Sequence, residues 1–330
     1  MSKLWSVLEL MEAFLLAHAV AVLHELNLFE ALEKPRTAAE LARNHDCDLS
    51  ILRGTLEYVA ARTELLRKSG QKFVVTRKYD PRARFLLDLY SGAYGHNASH
   101  LLELINDPAS AADLVDRARH ARAFAAVHGS PIAVLPDLIR QLGFNCLLDV
   151  GCGNGGLLLE LAAGDPEFIG WGLEQNNAMC KLARARIGAA GVTERIKVIR
   201  GDCADLELSL PMKVKARVGA IRACNVVNEM FAGGPTRATT WLRNLRRVFP
   251  RRSLLLVDYY GRLGVKARPS ESVTALRWTL LHDYAQLISG QGIPPSGLKE
   301  WRSIYRKAGC RLVHVLEDQD TTRFIHILRL

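Results

Sequence analysis

The sequence lacks several features that would assign it at once to a common class of protein. Its 330 residues include seven cysteines, but no two of them are spaced as Cys-x-x-Cys, so nothing supports a zinc ribbon or a thioredoxin-like site. An odd number of irregularly spaced cysteines indicates buried free thiols in a reducing compartment. The chain also lacks internal repeats and low-complexity linkers.

Long hydrophobic runs are scarce as well. The longest apolar run near the start, residues 13–23, is shorter than the ~20 residues that span a bilayer, and charged or polar residues flank it. Lys3 alone makes a weak basic start for a signal peptide. We therefore predict a cytoplasmic protein that has no membrane as a partner.

Basic residues are in excess but are not concentrated. The net charge is +10, yet no run of five or more basic residues occurs. We interpret the excess as arginine-rich surface spread over the protein, because proteins that bind nucleic acid usually cluster their basic residues. Nucleic-acid binding is kept as the alternative from another class.

The first 80 residues show the pattern of a winged helix. Three helices are predicted here, over residues 4–32, 37–43 (opened by a capping box) and 50–62. Residues 64–67 and 72–76 then form a β-hairpin with glycine in its turn. Residues 81–142 are predicted to be a mostly helical connector to the second half of the chain.

The second half, residues 143–330, alternates short apolar strands with helices. The predicted strands cover residues 146–150, 168–173, 196–199, 218–224, 253–258, 311–316 and 323–328. This alternation is typical of a parallel α/β sheet, and the last two strands form a hairpin at one end of it. The predicted fold class is α/β, with a Rossmann-like seven-stranded sheet preceded by the helical winged-helix domain.

The strongest motif is a glycine-rich turn after the first strand of this sheet. The segment from Leu147 to Gly156 has the sequence LLDVGCGNGG, and a helix starts at Leu157. Glycine lets the backbone pass close to a ligand that any Cβ would hit. Gly151, Gly153 and Gly156 also match the dinucleotide fingerprint, so a nicotinamide-dependent enzyme is the competing interpretation.

Asp149 separates the two cofactors. A dinucleotide would place its pyrophosphate at this turn, and a carboxylate two residues before the first glycine would oppose that charge. S-adenosylmethionine (SAM) has no phosphate and carries a sulfonium and an ammonium group, which a carboxylate attracts. The sequence therefore predicts SAM as the cofactor, bound by Asp149, Gly151 and Gly153.

Polar residues follow the next three strands. Glu174 follows the second strand, where a carboxylate can accept both ribose hydroxyls, and Gln175 comes directly after it. Asp202 and Cys203 follow the third strand, in a position to meet the adenine. Asn225 follows the fourth strand, where the methyl donor should face the acceptor. All five are predicted to bind the cofactor.

Motifs outside the glycine turn complete the pattern. They are His24–Leu32 in the first helix, Thr37–Ala42 in the second, Gly290–Gly292, Trp301 and Ala308–Cys310. Together with the glycine turn, they make the chain similar over nearly its whole length to the small-molecule O-methyltransferases of plants and of bacterial natural-product pathways. The combination of these motifs is more specific than the glycine turn alone.

The resemblance implies a domain organisation and a set of partners. It implies a winged-helix dimerisation domain over residues 1–80, a connector lining the acceptor pocket over 81–142, and a class I SAM methyltransferase domain over 143–330. It further implies a homodimer that acts on a small-molecule acceptor, with neither nucleic acid nor a membrane as a partner.

One segment departs from that family. The family carries Asn-x-x-His followed by Asp or Glu after the fourth strand, and its His deprotonates the acceptor hydroxyl. Here residues 225–229 have the sequence NVVNE, so Asn228 stands at the position of the base. An amide side chain cannot take up a proton at pH 7.

Three possibilities stay open for the missing base. Another group takes the proton: His282 first, because imidazole titrates near neutrality, with Glu229 and Asp283 behind it. Alternatively, the acceptor needs no base, being an amine or an already acidic carbon. Or the chain is similar to the α-keto-acid C-methyltransferases, which hold a metal at this segment. We predict metal-free O-methyl transfer, with His282, Glu229 and Asn228 in the catalytic site.

Two alternatives lie outside small-molecule methyl transfer. One is a nucleic-acid-binding protein, either a winged-helix regulator or an RNA methyltransferase, which would use the net charge and the hairpin. The other is a SAM-binding protein that catalyses a different reaction, which the loss of the family's base leaves open.

Overall fold

The chain folds into two compact units. The computed structural model describes residues 5–125, 134–266, 272–318 and 322–330. The N-terminal unit comprises Met1–Gly95 and Ala118–Val127, and the C-terminal unit comprises His96–Arg117 and His128–Leu330. The connector predicted over residues 81–142 therefore contributes to both units.

Helices dominate the N-terminal unit, and strands alternate with helices in the C-terminal unit. The α-helices of the described residues are α1 (Val7–Glu25), α2 (Leu28–Ala31), α3 (Ala38–His45), α4 (Leu49–Arg62), α5 (Pro81–Leu86), α6 (Gly95–Ser99), α7 (Leu101–Asn106), α8 (Arg117–Ala125), α9 (Leu135–Gln141), α10 (Gly156–Gly164), α11 (Asn177–Ala189), α12 (Leu206–Ser209), α13 (Met212–Arg217), α14 (Thr236–Val248), α15 (Val273–Ile288) and α16 (Leu298–Ala308). The strands are β1 (Arg36–Thr37), β2 (Leu66–Ser69), β3 (Lys72–Val75), β4 (Cys146–Val150), β5 (Ile169–Glu174), β6 (Ile196–Arg200), β7 (Ala220–Cys224), β8 (Ser253–Tyr259), β9 (Arg311–Glu317) and β10 (Arg323–Arg329). A π-helix covers Leu87–Ala93, and a short 3₁₀ helix covers Val227–Met230.

The start of the N-terminal unit differs from the prediction in one respect. The sequence predicts a single helix over residues 4–32, but α1 ends at Glu25 and α2 follows it. The break is at Asn27, whose φ of 54° is left-handed, a conformation that asparagine tolerates better than most residues. The predicted capping box is confirmed, since the Glu40 N–H donates to Thr37 Oγ1 at 3.2 Å.

The hairpin β2–β3 is confirmed and gains a third strand. The strand order is β1-β3-β2, and the short strand β1 has no counterpart among the predicted strands. Leu23, Phe29, Leu56 and Phe73 bring α1, α2, α4 and β3 together in one buried apolar cluster. The N-terminal unit thus has its own core.

A polar network ties three helices of the N-terminal unit together. Asp88 is buried in the π-helix, and its Oδ1 lies 3.0 Å from His24 Nε2 on α1 and 2.6 Å from Arg122 Nε on α8. The Tyr79 hydroxyl lies 2.5 Å from the other ring nitrogen of His24. His24 from the family motif therefore has a structural role.

Helix α1 also presents an apolar face that the N-terminal unit leaves uncovered. Leu8 is 78% exposed and Leu15 is 59% exposed, and Met11 and Phe14 are exposed beside them. By length and composition the helix could cross a membrane, because its most apolar window has a mean hydropathy of 1.7. The prediction from residues 13–23 missed this, since the apolar character extends to the helix start.

The C-terminal unit is built on a seven-stranded sheet in the order β6-β5-β4-β7-β8-β10-β9. The first five strands run parallel, and β10 is antiparallel to both β8 and β9. All seven predicted strands are present within two residues of their predicted ends. Neighbouring residues such as Leu147 and Leu148 enter separate buried clusters on the two faces, which confirms the Rossmann-like α/β class.

Candidate active site

The carboxyl ends of the five parallel strands meet at one edge of the sheet. In open α/β sheets, ligands bind in the crevice outside this edge. The residues that follow or end these strands are Gly151 after β4, Glu174 of β5, Asp202 after β6, Asn225 after β7 and Tyr259 of β8. Most of the predicted site residues therefore lie at this edge.

The glycine turn after β4 needs glycine at its first position. Gly151 has a φ of +69°, and a Cβ built on it would lie 2.8 Å from Val226 Cγ2. Its N–H donates to the Leu173 carbonyl at 2.9 Å, which fixes the turn against the end of β5. Gly153 donates its N–H to Glu174 Oε2 at 3.0 Å. These hydrogen bonds fix the shape of the turn, which carries no side chain at Gly151 or Gly153.

Glu174 holds this turn and keeps acceptor capacity. Its carboxylate accepts N–H groups from Gly153, Gln175 and Asn176, the last at 2.7 Å. Burial raises the pKa of Glu174, and these backbone hydrogen bonds oppose the shift. A carboxylate has about four lone-pair sites, so after these three backbone hydrogen bonds it can still accept a hydroxyl group. Gln175 itself is exposed and contributes its backbone here.

Asp149 is fully buried and is paired with a residue that the sequence did not single out. Arg222 Nη1 donates to Asp149 Oδ1 at 2.7 Å. Asp149 Oδ2 is buried and has no hydrogen-bond partner among the described residues. Arg222 thus engages one of the two carboxylate oxygens of Asp149, a pairing on which the sequence analysis makes no prediction.

Asp202 and Cys203 form the loop that follows β6. Asp202 is exposed, and its Oδ1 caps the loop by accepting the Ala204 N–H at 2.8 Å. The Cys203 carbonyl accepts the Trp241 indole N–H at 2.8 Å. Burial raises the pKa of the Cys203 thiol to about 12, with contributions from the nearby charges of Asp202, Glu229 and Glu174. Cys203 thus lies among the carboxylates at this edge.

The segment after β7 carries the residues predicted for catalysis. Asn225 has a left-handed φ of 51°. Asn228 and Glu229 lie in the 3₁₀ helix, and the Asn228 N–H donates to Asp258 Oδ2 at 3.0 Å. Gly292 packs closely against the end of this helix: a Cβ at this position would lie 2.3 Å from the Phe231 carbonyl carbon. The helix is thus held from two sides.

Glu229 has the electrostatic properties of a proton acceptor near neutrality. Burial raises its pKa to about 7, the charge of Arg117 opposes the shift, and the charge of Glu174 adds to it. Asp258, also buried, has its pKa raised to about 7 by burial, with Glu229 contributing. Sequence reasoning missed Asp258, although an acid that ends an apolar strand is the same signal that singled out Glu174.

His282 lies on α15 and is half-buried. Its ring centroid is 5.3 Å from that of Tyr259, which ends β8. Its neighbour Asp283 is buried and accepts the backbone N–H groups of Arg262 and Leu263 at 2.5 and 2.9 Å. Asp283 is therefore used in holding the loop after β8, while His282 lies beside an aromatic ring.

No group of three or more metal-ligating side chains is found among the described residues. A cavity of about 480 Å³ lies between α10 and α11, lined by residues that include Leu159, Arg186 and Val192. None of the predicted site residues lines it. The edge of the parallel strands, rather than this cavity, is the candidate site.

Comparisons with known proteins agree with this geometry. Residues 147–258 match a family model described as a methyltransferase domain. The chain is similar to the mitomycin 7-O-methyltransferase MmcR, with 20% identity and a TM-score of 0.74 over 98% of this chain and 96% of that one. It is similar to PigF, solved with SAH, with 18% identity and a TM-score of 0.76 over 99% and 100%.

A third similar structure has a different acceptor atom in its name. It is the N,N-8-amino-8-demethyl-D-riboflavin dimethyltransferase RosA from Streptomyces davawensis, with 20% identity and a TM-score of 0.60 over 96% of each chain. These likenesses show that the whole chain shares one fold with methyltransferases.

The fold and the family match together define the class of protein. The chain is an enzyme with a methyltransferase domain, and SAM is its methyl donor. The site fits this cofactor, because it combines a bare glycine turn, a strand-end carboxylate at Glu174 and the unsatisfied Oδ2 of Asp149. The prediction of SAM is confirmed over the competing nicotinamide dinucleotide.

Proposed function

We propose that the enzyme transfers the methyl group of SAM to a hydroxyl oxygen of a small-molecule acceptor and that Glu229 takes up the proton. One observation carries the proposal: Glu229 is a half-buried carboxyl beside the cofactor residues Glu174 and Cys203, with its pKa raised to about 7. A general base works best when its pKa lies near the operating pH.

The sequence favours His282 as the base, whereas the electrostatics of the site favour Glu229. Glu229 interacts with Glu174 and Cys203 at the cofactor edge. His282 lies against the Tyr259 ring, with 5.3 Å between the ring centroids. His282 stays in the proposal as a wall of the acceptor region.

The residues around the site divide the remaining tasks. SAM, when bound, supplies an electrophilic methyl group on sulfur. Asp149, Glu174 and the glycine turn orient the donor, and Asp202, Cys203 and Asn225 complete its site. Glu229 holds the acceptor proton at its carboxylate as the oxygen–methyl bond forms. Holding reactants at near-contact distance supplies much of the rate enhancement in such transfers.

An amine acceptor is the second candidate, and Asn228 favours it. Asn228 is 1% exposed, and its Oδ1 is buried with no hydrogen-bond partner among the described residues. An amide oxygen accepts hydrogen bonds from N–H and O–H groups. An amine would satisfy this oxygen and would need a weaker base than a hydroxyl does.

The proposal is tested with isotopically labelled SAM. The enzyme is incubated with labelled SAM and matched phenol, aniline and carboxylic acid panels, and separately with RNA, and products are identified by mass spectrometry. We expect label on the oxygen of hydroxylated aromatic acceptors. Label on nitrogen alone would establish the second candidate, and label in RNA would establish the nucleic-acid alternative.

We further propose that the N-terminal unit is a winged-helix dimerisation domain and that the enzyme works in the cytoplasm as a homodimer. The exposed face of α1 supports this, since large apolar patches mark interaction surfaces. The other face of α1 buries Val20 and Leu23 in its own unit. A second copy of the chain can cover the exposed face and leave this core intact, whereas insertion into a membrane would remove α1 from it.

The charges on α4 speak against DNA reading by the N-terminal unit. Arg62 forms an ion pair with Glu12, and Glu57 forms one with Lys68 at 2.8 Å. Helices that read the major groove present free basic side chains to phosphates and bases. Two basic side chains on or beside α4, Arg62 and Lys68, are thus already paired with carboxylates of the protein.

A further inference from the structure

Arg222 is a charged residue in a strand that is otherwise apolar or small. It lies at the centre of β7, where all five residues are buried, and it is 5% exposed. Burying a guanidinium is costly unless it is paired and hydrogen-bonded. An arginine buried at this position therefore needs a hydrogen-bonded partner of opposite charge.

The partner lies directly opposite on the neighbouring strand. Asp149 of β4 is the register partner of Arg222 in the parallel pair β4–β7, and both side chains are buried. Arg222 Nη1 and Asp149 Oδ1 are 2.7 Å apart, while Asp149 Oδ2 is left without a partner among the described residues. The pair thus leaves one strong acceptor unsatisfied two residues before Gly151.

The charges around the pair determine whether Asp149 stays ionised. Burial raises the pKa of Asp149, and the Arg222 guanidinium lowers it. Three other titratable groups face the carboxylate: Cys152 in the glycine turn, Glu174 at the end of β5 and Cys224 at the end of β7. None of these three carries a positive charge in any protonation state, so Arg222 supplies the cation that opposes burial.

We propose that Arg222 is a positioning residue for SAM: it holds Oδ1 of an ionised Asp149 and so presents Oδ2 to the ammonium group of the cofactor. An ammonium group offers three donors and no acceptor, which suits a carboxylate oxygen that no protein group satisfies. The inference rests on SAM as the donor and is independent of which acceptor molecule is methylated.

The test measures SAM affinity by calorimetry between about pH 6 and pH 9, with no acceptor present. Arg222→Met removes the cation, and Arg222→Gln keeps a hydrogen-bond donor without the charge. In both variants the pKa of Asp149 rises, so a protonated Asp149 persists to higher pH. At the acidic end we expect SAM affinity to fall at least about tenfold below that of wild type, and this difference should narrow as the pH rises, while the ammonium group of SAM titrates alike in every protein.

Wild type and Arg222→Lys are the matched controls, because both keep a cation opposite Asp149. Glu174, Cys152 and Cys224 are unchanged in every protein, so the difference between the profiles isolates Asp149. Wild-type affinity and a wild-type pH profile in Arg222→Gln would overturn the proposal.

A double variant keeps the test decisive if the single variants fail to fold. Asp149→Leu combined with Arg222→Met replaces the buried pair by apolar side chains, an exchange that many folds tolerate. We expect it to melt cooperatively and to bind SAM at least about tenfold more weakly than wild type, as a binding role requires. If it bound SAM as tightly as wild type, the pair would be structural alone. Failure to find a methylated small molecule would leave these results unchanged.

Discussion

At the scale of single residues, the proton acceptor that we propose is the carboxyl next to Asn228. Asn228 hydrogen-bonds through its backbone to Asp258, and Glu229 follows it in the same short helix. Under this proposal, proton uptake in the segment belongs to Glu229, whose pKa burial raises to about 7.

Glu229→Gln tests the base directly. Glutamine keeps the shape and removes proton uptake, so kcat should fall by roughly 10² to 10⁴ with SAM affinity within about twofold of wild type. The wild-type rate should rise with pH through about 7, because Glu229 acts only when ionised. That rise should shrink in the variant; the part that remains belongs to Asp258, which titrates in the same range.

Two further variants are compared with Glu229→Gln. Glu167→Gln makes the same change at an exposed position and should leave kinetics unchanged. His282→Ala should lower the rate less than Glu229→Gln does. A large loss in His282→Ala together with full activity in Glu229→Gln would return the base to His282.

Glu174→Gln should weaken cofactor binding. The carboxylate accepts three backbone N–H groups, including that of Gly153 in the glycine turn, and an amide offers one acceptor oxygen where the carboxylate offers two. Hydrogen bonds to a charged group contribute about 1.5–3 kcal/mol, so the SAM dissociation constant should rise at least about tenfold. Calorimetry with SAM measures this. An unchanged dissociation constant would show that the ribose is held elsewhere.

At the scale of elements, the glycine turn and the short helix after β7 are coupled by contact. Val226 begins the segment that leads to Glu229, and its Cγ2 would lie 2.8 Å from any Cβ at Gly151. The cofactor turn and the catalytic segment are therefore packed against each other. A substitution that displaces one of these segments should therefore also displace the other.

Gly151→Ala tests this coupling. Alanine at a φ of +69° is strained, and its Cβ also pushes Val226. Left-handed strain costs about 1–2 kcal/mol, so we expect a lower melting temperature and weaker SAM binding. Gly188→Ala is the control, since a Cβ there meets nothing within 4 Å and α11 gains helix propensity. Equal SAM affinity in the two variants would contradict the proposed close approach.

At the scale of the whole molecule, the exposed face of α1 is the dimer contact that we propose. A charge placed on this face should break a dimer, because burying an unpaired carboxylate in an apolar contact is unfavourable. Leu15→Glu should therefore give a monomer by light scattering at micromolar concentration, while wild type gives a dimer. The folded N-terminal unit should persist, since Leu15 is exposed in it.

Leu102→Glu is the matched control for that experiment. Leu102 on α7 is 77% exposed, and it lies in the C-terminal unit. Its charge should leave the wild-type assembly unchanged. A monomeric wild type, or a dimer that survives Leu15→Glu, would refute dimerisation through α1.

The sequence by itself determined the order of the elements and the cofactor. Hydrophobic periodicity located all seven strands of the large sheet, and the glycine turn preceded by Asp149 and followed by Glu174 and Asp202 predicted SAM. These signals are local, because a strand, a turn and the residue that follows it occupy consecutive positions in the sequence. The capping box at Thr37 and Glu40 was equally local and equally predictable.

The tertiary structure decided every property that depends on the pairing of strands or on burial. Arg222 and Asp149 lie 73 positions apart in sequence and become partners only through the register of β4 with β7. The pKa of Glu229 follows from burial and from the charges of Arg117 and Glu174, which no sequence pattern joins. Which side chains of α1 stay exposed was decided only when Val20 and Leu23 took the other face of the helix into the core. Local patterns fix what each segment becomes, whereas pairing, burial and charge are properties of distances that the folded chain alone creates.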